Sequence, residues 1–335
     1  MPKQDLAQWK PACDLKVIRL RAKMLAEIRD FFSQRSVLEV ETPLLSQTTG
    51  TDPQLHFFSS YFHGVANNKD IKGLEMYLQT SPEFAMKRLL AAGSGSIFQI
   101  CKAFRNGELG QFHNPEFSIL EWYRVGFSLD QLMDEAARLL LGLLDETNSV
   151  DTIKKISYVE LFEHVTGLNP LEFCQESYSF YASNHEMKDA ITLCGADHSM
   201  WLDIIFSYKV QPILENELLC MVYGYPAIQC SLARINQNNP AIADRFEVFI
   251  KGIEIGNGFF ELSDAVEQEM RFDQENKSRV LNGLEQVEKD KKFLDALKSG
   301  LPECSGIAIG LDRLLMIIAS AQSLNDVIAF PFDRA

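Results

Sequence analysis

Phe246-Glu247-Val248-Phe249-Ile250-Lys251-Gly252-Ile253-Glu254-Ile255 reads as a β-hairpin, and the architecture of the chain can be built around it. Two runs of β-branched and aromatic residues flank Lys251-Gly252, a pair suited to a two-residue turn. Such a turn pairs Ile250 with Ile253, Phe249 with Glu254 and Val248 with Ile255. Opposite residues share a face, as do alternate residues on one strand. Glu247 therefore lies on the face of Glu254, one diagonal step away, roughly 7 to 8 Å between backbones. Two carboxylates so placed among apolar neighbours need a cation, and Mg2+ bridging a nucleotide's phosphates meets that need. The alternative is a solvated pair on an exposed sheet face. Further on, Asn257-Gly258-Phe259-Phe260-Glu261 sets Glu261 at odd separation from Glu254. A regular strand turns it to the other face, whereas a bulge at Asn257-Gly258, which is the expectation here, restores it. A simple Asn-Gly hairpin turn is the competing reading.

Outward from this hairpin, Ser118 to Val125 also alternates, and Gly306 to Gly310 leads from a strand into a helix over Leu311 to Ser320. Val17, Ile18, Leu20, Met24, Leu25, Ile28, Phe31 and Phe32 recur at helical spacing within Val17 to Gln34. Val37 to Pro43 follows as a strand-like alternation stopped by proline. Ser128 with Gln131 forms a capping-box pattern ahead of a helix over Leu129 to Asp145. Asp264 to Lys298 is charged and mostly helical, punctuated by Asn282-Gly283, with Gly300 as a C-terminal cap. Residues 151–197 read as a helical insertion in one domain spanning 1–335. Helices before and after a hairpin-linked antiparallel sheet indicate α+β rather than a doubly wound fold.

Composition narrows the function. The 335 residues carry a net charge of -14, opposite to the footprint of a protein that grips long stretches of phosphate backbone. The seven cysteines are odd in number and widely spread, without a Cys-x-x-Cys pair, as free thiols of a reducing cytosol would be. Met1 to Leu15 carries charges throughout and no apolar core of a secretory signal, and no window reaches the roughly 18 apolar residues of a membrane span. A cytoplasmic protein is expected. GxxxxGK[ST] and GxGxxG are both missing, so any ATP must be held by other means.

Two further clusters carry chemistry. Phe104-Arg105-Asn106-Gly107-Glu108 opens a polar loop that runs through His113-Asn114-Pro115-Glu116-Phe117 into Ser118-Ile119-Leu120-Glu121-Trp122-Tyr123. Alternation puts Glu121 and Tyr123 on one face, a carboxylate beside a phenol, suited to an ammonium group. Arg105 is placed to meet a phosphate in bidentate fashion. In Gly306-Ile307-Ala308-Ile309-Gly310-Leu311-Asp312-Arg313, small residues alternate so that a ligand can approach the backbone. Arg313 then emerges in the first turn of an apolar helix, where its charge needs either an anionic ligand or a structural carboxylate.

In this order the three segments resemble motifs 1, 2 and 3 of the class II aminoacyl-tRNA synthetases, in the wording of the lysyl enzyme. Val37 to Pro43 is similar to motif 1, Arg105 to Tyr123 to motif 2 and Gly306 to Arg313 to motif 3. Thr80-Ser81-Pro82-Glu83 and Glu254 to Glu261 match further lysyl-type signatures, so the resemblance covers roughly residues 15–332. It implies ATP contacts from Arg105, Asn106, Gly107, Asn114, Glu254, Ile255, Gly310 and Arg313, with Arg105, Glu254 and Arg313 catalytic. Glu247 and Glu254 are the implied Mg2+ ligands. Ser81, Pro82, Glu83, Glu121, Tyr123, Asn257, Glu261 and Ala308 are the implied amino-acid pocket. Gly107 stands where motif 2 more often has an acidic residue, and Glu108 is the candidate to take its place.

Two departures bear on function. The catalytic segment begins within the first twenty residues, so no anticodon-binding domain like that of the lysyl enzyme is expected, and Ala308 stands where that enzyme's motif 3 has a glycine, at the floor of the implied pocket. Both features, together with Tyr225-Pro226-Ala227 and Ser231-Leu232-Ala233-Arg234, resemble paralogues of that enzyme that modify a protein instead of tRNA. Such a resemblance implies adenylation of (R)-β-lysine by ATP and its transfer to a lysine of elongation factor P, by a homodimer that uses neither tRNA nor a membrane. The alternatives are a minimal lysyl-tRNA synthetase-like enzyme that charges tRNA or makes a free aminoacyl product, and a non-catalytic regulatory paralogue.

Overall fold

The computed structural model describes residues 9–64, 73–144 and 153–335. In chain order the elements begin with α1 (Leu15–Ser33), β1 (Leu38–Glu39), β2 (Leu45–Ser46), β3 (Phe58–Phe62), β4 (Leu74–Leu78), α2 (Glu83–Ala91), β5 (Ile97–Phe104) and β6 (Glu116–Val125). Then come α3 (Leu129–Leu143), β7 (Lys154–Ser157), α4 (Tyr158–Thr166), α5 (Gln175–Asn184), α6 (Lys188–Cys194), α7 (His198–Ile205) and β8 (Cys220–Tyr223). The chain ends with β9 (Arg245–Ile250), β10 (Ile253–Phe260), α8 (Ala265–Leu281), α9 (Lys291–Gly300), β11 (Cys304–Gly310) and α10 (Leu311–Ile318). The contacts divide into two compact units, Met1–Val125 with Ser263–Glu303 and Ala308–Ala335, and Gly126–Leu262 with Cys304–Ile307.

In the first unit β5 and β6 form a long antiparallel ladder with Trp122 opposite Phe98, Glu121 opposite Gln99 and Tyr123 opposite Ile97. Around Trp122 the alternation puts Phe98, Ile100 and Leu120 with it on an apolar face and turns Gln99, Glu121 and Tyr123 to the other. α1 is capped by Asp14, whose carboxylate accepts from the Lys16 N–H, and buries Met24, Ile28 and Phe32 at intervals of four. Phe32 stacks on Phe98 with centroids 4.5 Å apart and meets Trp122 edge-on at 5.3 Å, so α1 seals the apolar face. The expected strand after α1 is shorter than the sequence suggests. Only Leu38–Glu39 pairs, in parallel with β5, before Pro43 ends any ladder. A separate three-stranded sheet of order β2-β4-β3 was not legible in the sequence. The stretch expected to be helical between Asp264 and Lys298 resolves into α8 and α9, whose Phe272 and Phe293 pack against Phe84 of α2.

In the second unit α3 starts at the expected capping box, with Ser128 and Gln131 each bonded to the other's backbone N–H. Its predicted end, Asp145, and residues 151 and 152 at the start of the insertion lie outside the described residues. From Lys154 the insertion contains β7 as well as helices, and β7 pairs in parallel with β8. Its core gathers Trp201, Tyr178, Tyr158 and Phe206 against Phe249 of β9. β8, β9 and β10 continue as antiparallel neighbours. The class is α+β, as the hairpin-linked pattern indicates. None of the seven described cysteines forms a disulfide, and among the described residues no helix is long and apolar enough to cross a membrane.

Candidate active site

The polar face of β6 organises the first group of expected residues. Tyr123 Oη donates to Glu121 Oε1 at 2.6 Å and Ser81 Oγ to Oε2 at 2.9 Å, so both carboxylate oxygens are held. Ser81 Oγ also accepts from the Glu83 N–H at 3.1 Å, across Pro82 at the N-terminus of α2. One turn on, Lys87 Nζ reaches Glu83 Oε1 at 2.6 Å, and Lys87 is almost wholly buried. Ser81, Pro82, Glu83, Glu121 and Tyr123 thus come together. Burial, reinforced by the charge of Glu83, raises the Glu121 carboxyl to about 8 against the hydrogen bonds from Tyr123 and Ser81. A carboxyl kept neutral by burial ionises when a further cation docks beside it.

Arg105 stands at the end of β5, its N–H bonded to the Pro115 carbonyl at 2.9 Å and its guanidinium 5.1 Å over the Phe117 ring. Gly107 has φ +82°, a conformation in which a side chain is strained. The acidic group beside Arg105 is instead Glu108, 3.8 Å from Nη1. The Asn106 N–H is bonded to the His56 carbonyl at 2.8 Å. Arg313, in the first turn of α10, donates through Nε to the Phe112 carbonyl at 3.0 Å and meets His113 Nε2 through Nη2 at 2.7 Å. It therefore grips the loop that Arg105 opens. Its neighbour Asp312 is bonded to Arg21 of α1 at 2.5 Å and to the Ser118 N–H at 2.6 Å. Asn114 is buried and its amide braces backbone, donating to the Glu116 carbonyl at 2.6 Å and accepting from the Phe332 N–H at 3.1 Å. Ala308 and Gly310 are half-buried, alternating with buried Ile307 and Ile309.

The hairpin of the second unit turns where expected. Lys251 and Gly252 both have positive φ, +49° and +75°, as a type I′ turn requires. Ile253 pairs with Ile250 and Glu254 with Phe249, but Val248 faces Gly256 rather than Ile255. The bulge lies at Ile255, not at Asn257-Gly258, where the strand is regular. Its effect is the expected one, since an extra residue between Glu254 and Glu261 puts both on one face together with Glu247 and Asn257. Asn257-Gly258 cannot form a turn because it sits within the ladder, opposite Glu247 and Phe246.

Glu247 is held at both ends. Arg245 Nη2 donates to Oε1 at 2.5 Å and Tyr225 Oη to Oε2 at 2.6 Å. Burial raises its carboxyl to about 7; Arg245 opposes the shift, Glu254 adds to it and Tyr225 opposes it. Among the described residues no cluster of three or more His, Cys, Asp or Glu is assembled for a metal. Mg2+ fits the site in the manner usual for it, on one or two carboxylates with phosphates and water completing the shell. Each Glu247 oxygen retains a lone pair, and the mutual repulsion of Glu247 and Glu254 is what a cation relieves. Buried Glu261 donates its N–H to the Cys304 carbonyl at 3.0 Å and bridges Ala233. The sequence reading missed Arg245, although it lies two residues before Glu247 and so on the same face.

The family profile of the tRNA synthetases class II (D, K and N) matches residues 7–334. Curated relatives include the elongation factor P–(R)-β-lysine ligases of Salmonella dublin and Salmonella paratyphi B. Each is 44% identical over 331 residues, covering 99% of this chain and 99% of the relative.

Proposed function

Because the chain belongs to the class II tRNA synthetases of the D, K and N type, we propose that it is an ATP-dependent ligase that activates (R)-β-lysine and joins it to a lysine ε-amine of elongation factor P. The observation that carries the substrate class is Glu121, buried and gripped by Tyr123 and Ser81, its carboxyl raised to about 8 by burial. A diammonium amino acid brings the positive charge that favours its ionised form. The near full-length likeness to β-lysine ligases of elongation factor P supports the acceptor.

The amino acid's carboxylate attacks the α-phosphate of ATP in line. A P–O bond forms to the carboxylate as the bond to pyrophosphate breaks, and Arg105 and Arg313 neutralise the charge that develops on the phosphates. Mg2+ held by Glu247 and Glu254 would supply further neutralisation when bound. The acceptor amine then attacks the adenylate carbonyl, a C–N bond replaces the C–O bond, the amine loses a proton and AMP leaves. No protein nucleophile is needed; catalysis is positioning and electrostatics. Arg313 contributes to positioning through its grip on the loop after Arg105. Asn106, Gly107, Asn114, Ile255 and Gly310 are the remaining residues assigned to ATP, and Asn257, Glu261 and Ala308 those assigned to the amino acid. A homodimer in the cytoplasm is part of the same proposal.

The test is amino-acid-dependent ATP–pyrophosphate exchange. (R)-β-lysine is expected to drive it, and Glu254→Gln to abolish it with an unchanged circular dichroism spectrum. Full exchange in Glu254→Gln would show that the hairpin carboxylates are not the metal site.

A further inference from the structure

We propose that Arg245 is a positioning residue that ties the metal carboxylate to the amino-acid pocket, setting the orientation of Glu247 and Asn257 with one planar group. Its guanidinium is engaged on three sides. Nε donates to Asn257 Oδ1 at 3.2 Å, Nη1 to the Gln229 carbonyl at 2.6 Å and Nη2 to Glu247 Oε1 at 2.5 Å. The plane lies 4.4 Å over the ring of Tyr225, whose hydroxyl holds the other oxygen of Glu247 at 2.6 Å. Tyr225 is itself buried and backed by Tyr158 at 4.6 Å, so the clamp cannot drift.

Arg245 offsets the burial of Glu247, yet a cation bonded to a metal-binding carboxylate also opposes the metal's charge, so its contribution to the loaded site is geometric. A rigid fork reaches three acceptors at fixed angles, which the flexible, point-like ammonium of lysine does not. With both oxygens fixed, Glu247 presents its remaining lone pairs in one direction, as partners behind the metal ligands commonly ensure. The same fork occupies the carbonyl oxygen of Asn257, so Asn257 offers its Nδ2 protons and meets an oxygen of the amino acid, as on its carboxylate, rather than an ammonium. Arg245 is thus the element by which metal binding and amino-acid binding share one rigid support.

The inference rests on the proposed roles of Glu247 and Asn257, and the test separates the two. Mn2+ binding in the presence of ATP is read by electron paramagnetic resonance, and KM for the amino acid by pyrophosphate exchange. Arg245→Lys is expected to weaken Mn2+ binding about tenfold or more and to raise the amino-acid KM by a similar factor. Tyr225→Phe, which removes one oxygen from the clamp and leaves Asn257 untouched, is expected to weaken Mn2+ binding alone. Folded Arg245→Lys with both quantities unchanged overturns the proposal, as does Tyr225→Phe shifting both equally, the mark of a general scaffold. If Arg245→Lys fails to fold, Tyr225→Phe still decides, because unchanged Mn2+ binding there overturns it. Glu247→Gln checks the premise, since undiminished Mn2+ binding in that variant refutes the metal assignment whatever the clamp does.

Discussion

A carboxyl that titrates at about 8 is roughly nine-tenths protonated at pH 7, and binding a lysine-like substrate through Glu121 must then expel a proton. The ionised fraction is about 0.09 at pH 7 and 0.5 at pH 8, so the amino-acid Kd is expected to fall about fivefold over that unit, below the range where the substrate's ammonium groups titrate. Calorimetry in two buffers of different ionisation enthalpy counts the protons directly. About 0.9 should be released at pH 7 and about half at pH 8. Tyr123→Phe removes the 2.6 Å hydrogen bond that favours the anion, and such bonds to charged groups contribute about 1.5–3 kcal/mol. The variant should bind at least tenfold more weakly at pH 7, with its pH dependence displaced upward. Heats of binding independent of buffer, with a Kd flat between pH 7 and 8, would refute the reasoning.

The apo protein should lose stability as pH rises from about 5 to 8, because Glu121, Glu247 and Glu275 are each raised above 4.5, to about 8, 7 and 7. A raised carboxyl stabilises the fold while protonated and loses that contribution as pH passes through its folded value. The fall in Tm should be shallower in Glu275→Gln, and an equally steep fall in that variant would count against it. Gly258→Ala drives a Cβ into the Phe246 ring and to 3.1 Å from Ile307 Cβ; a loss of about 1–3 kcal/mol is expected by urea unfolding, and an unchanged midpoint would contradict the packing. The Ala308 methyl is expected to displace the substrate amine by one carbon, so Ala308→Gly should shift activation from β-lysine towards α-lysine, and an unchanged ratio would remove that role.

Local chemistry made much of this molecule readable. The Ser128–Gln131 box and the Lys251-Gly252 turn involve residues close in sequence, and both appear where the pattern puts them. The pairing of Glu121 with Tyr123 needs only strand alternation. What failed depends on how elements meet rather than on short-range pattern. The bulge at Ile255 rather than Asn257 is set by how β10 meets β9, and β7 exists because β8 offers an edge more than sixty residues later. Arg245 escaped notice because its value lies in simultaneous contacts to Gln229, Glu247 and Asn257. Asn114, assigned to ATP by motif, bonds to the Phe332 N–H, over two hundred residues away, which no motif encodes.

Purified protein given ATP and labelled (R)-β-lysine, with unmodified elongation factor P and total tRNA offered in parallel, reports the acceptor directly by intact mass and acid precipitation. Label on a lysine of elongation factor P, and none on tRNA, is the expected result. Label on tRNA alone would make the chain a tRNA-charging synthetase and contradict the proposed reaction.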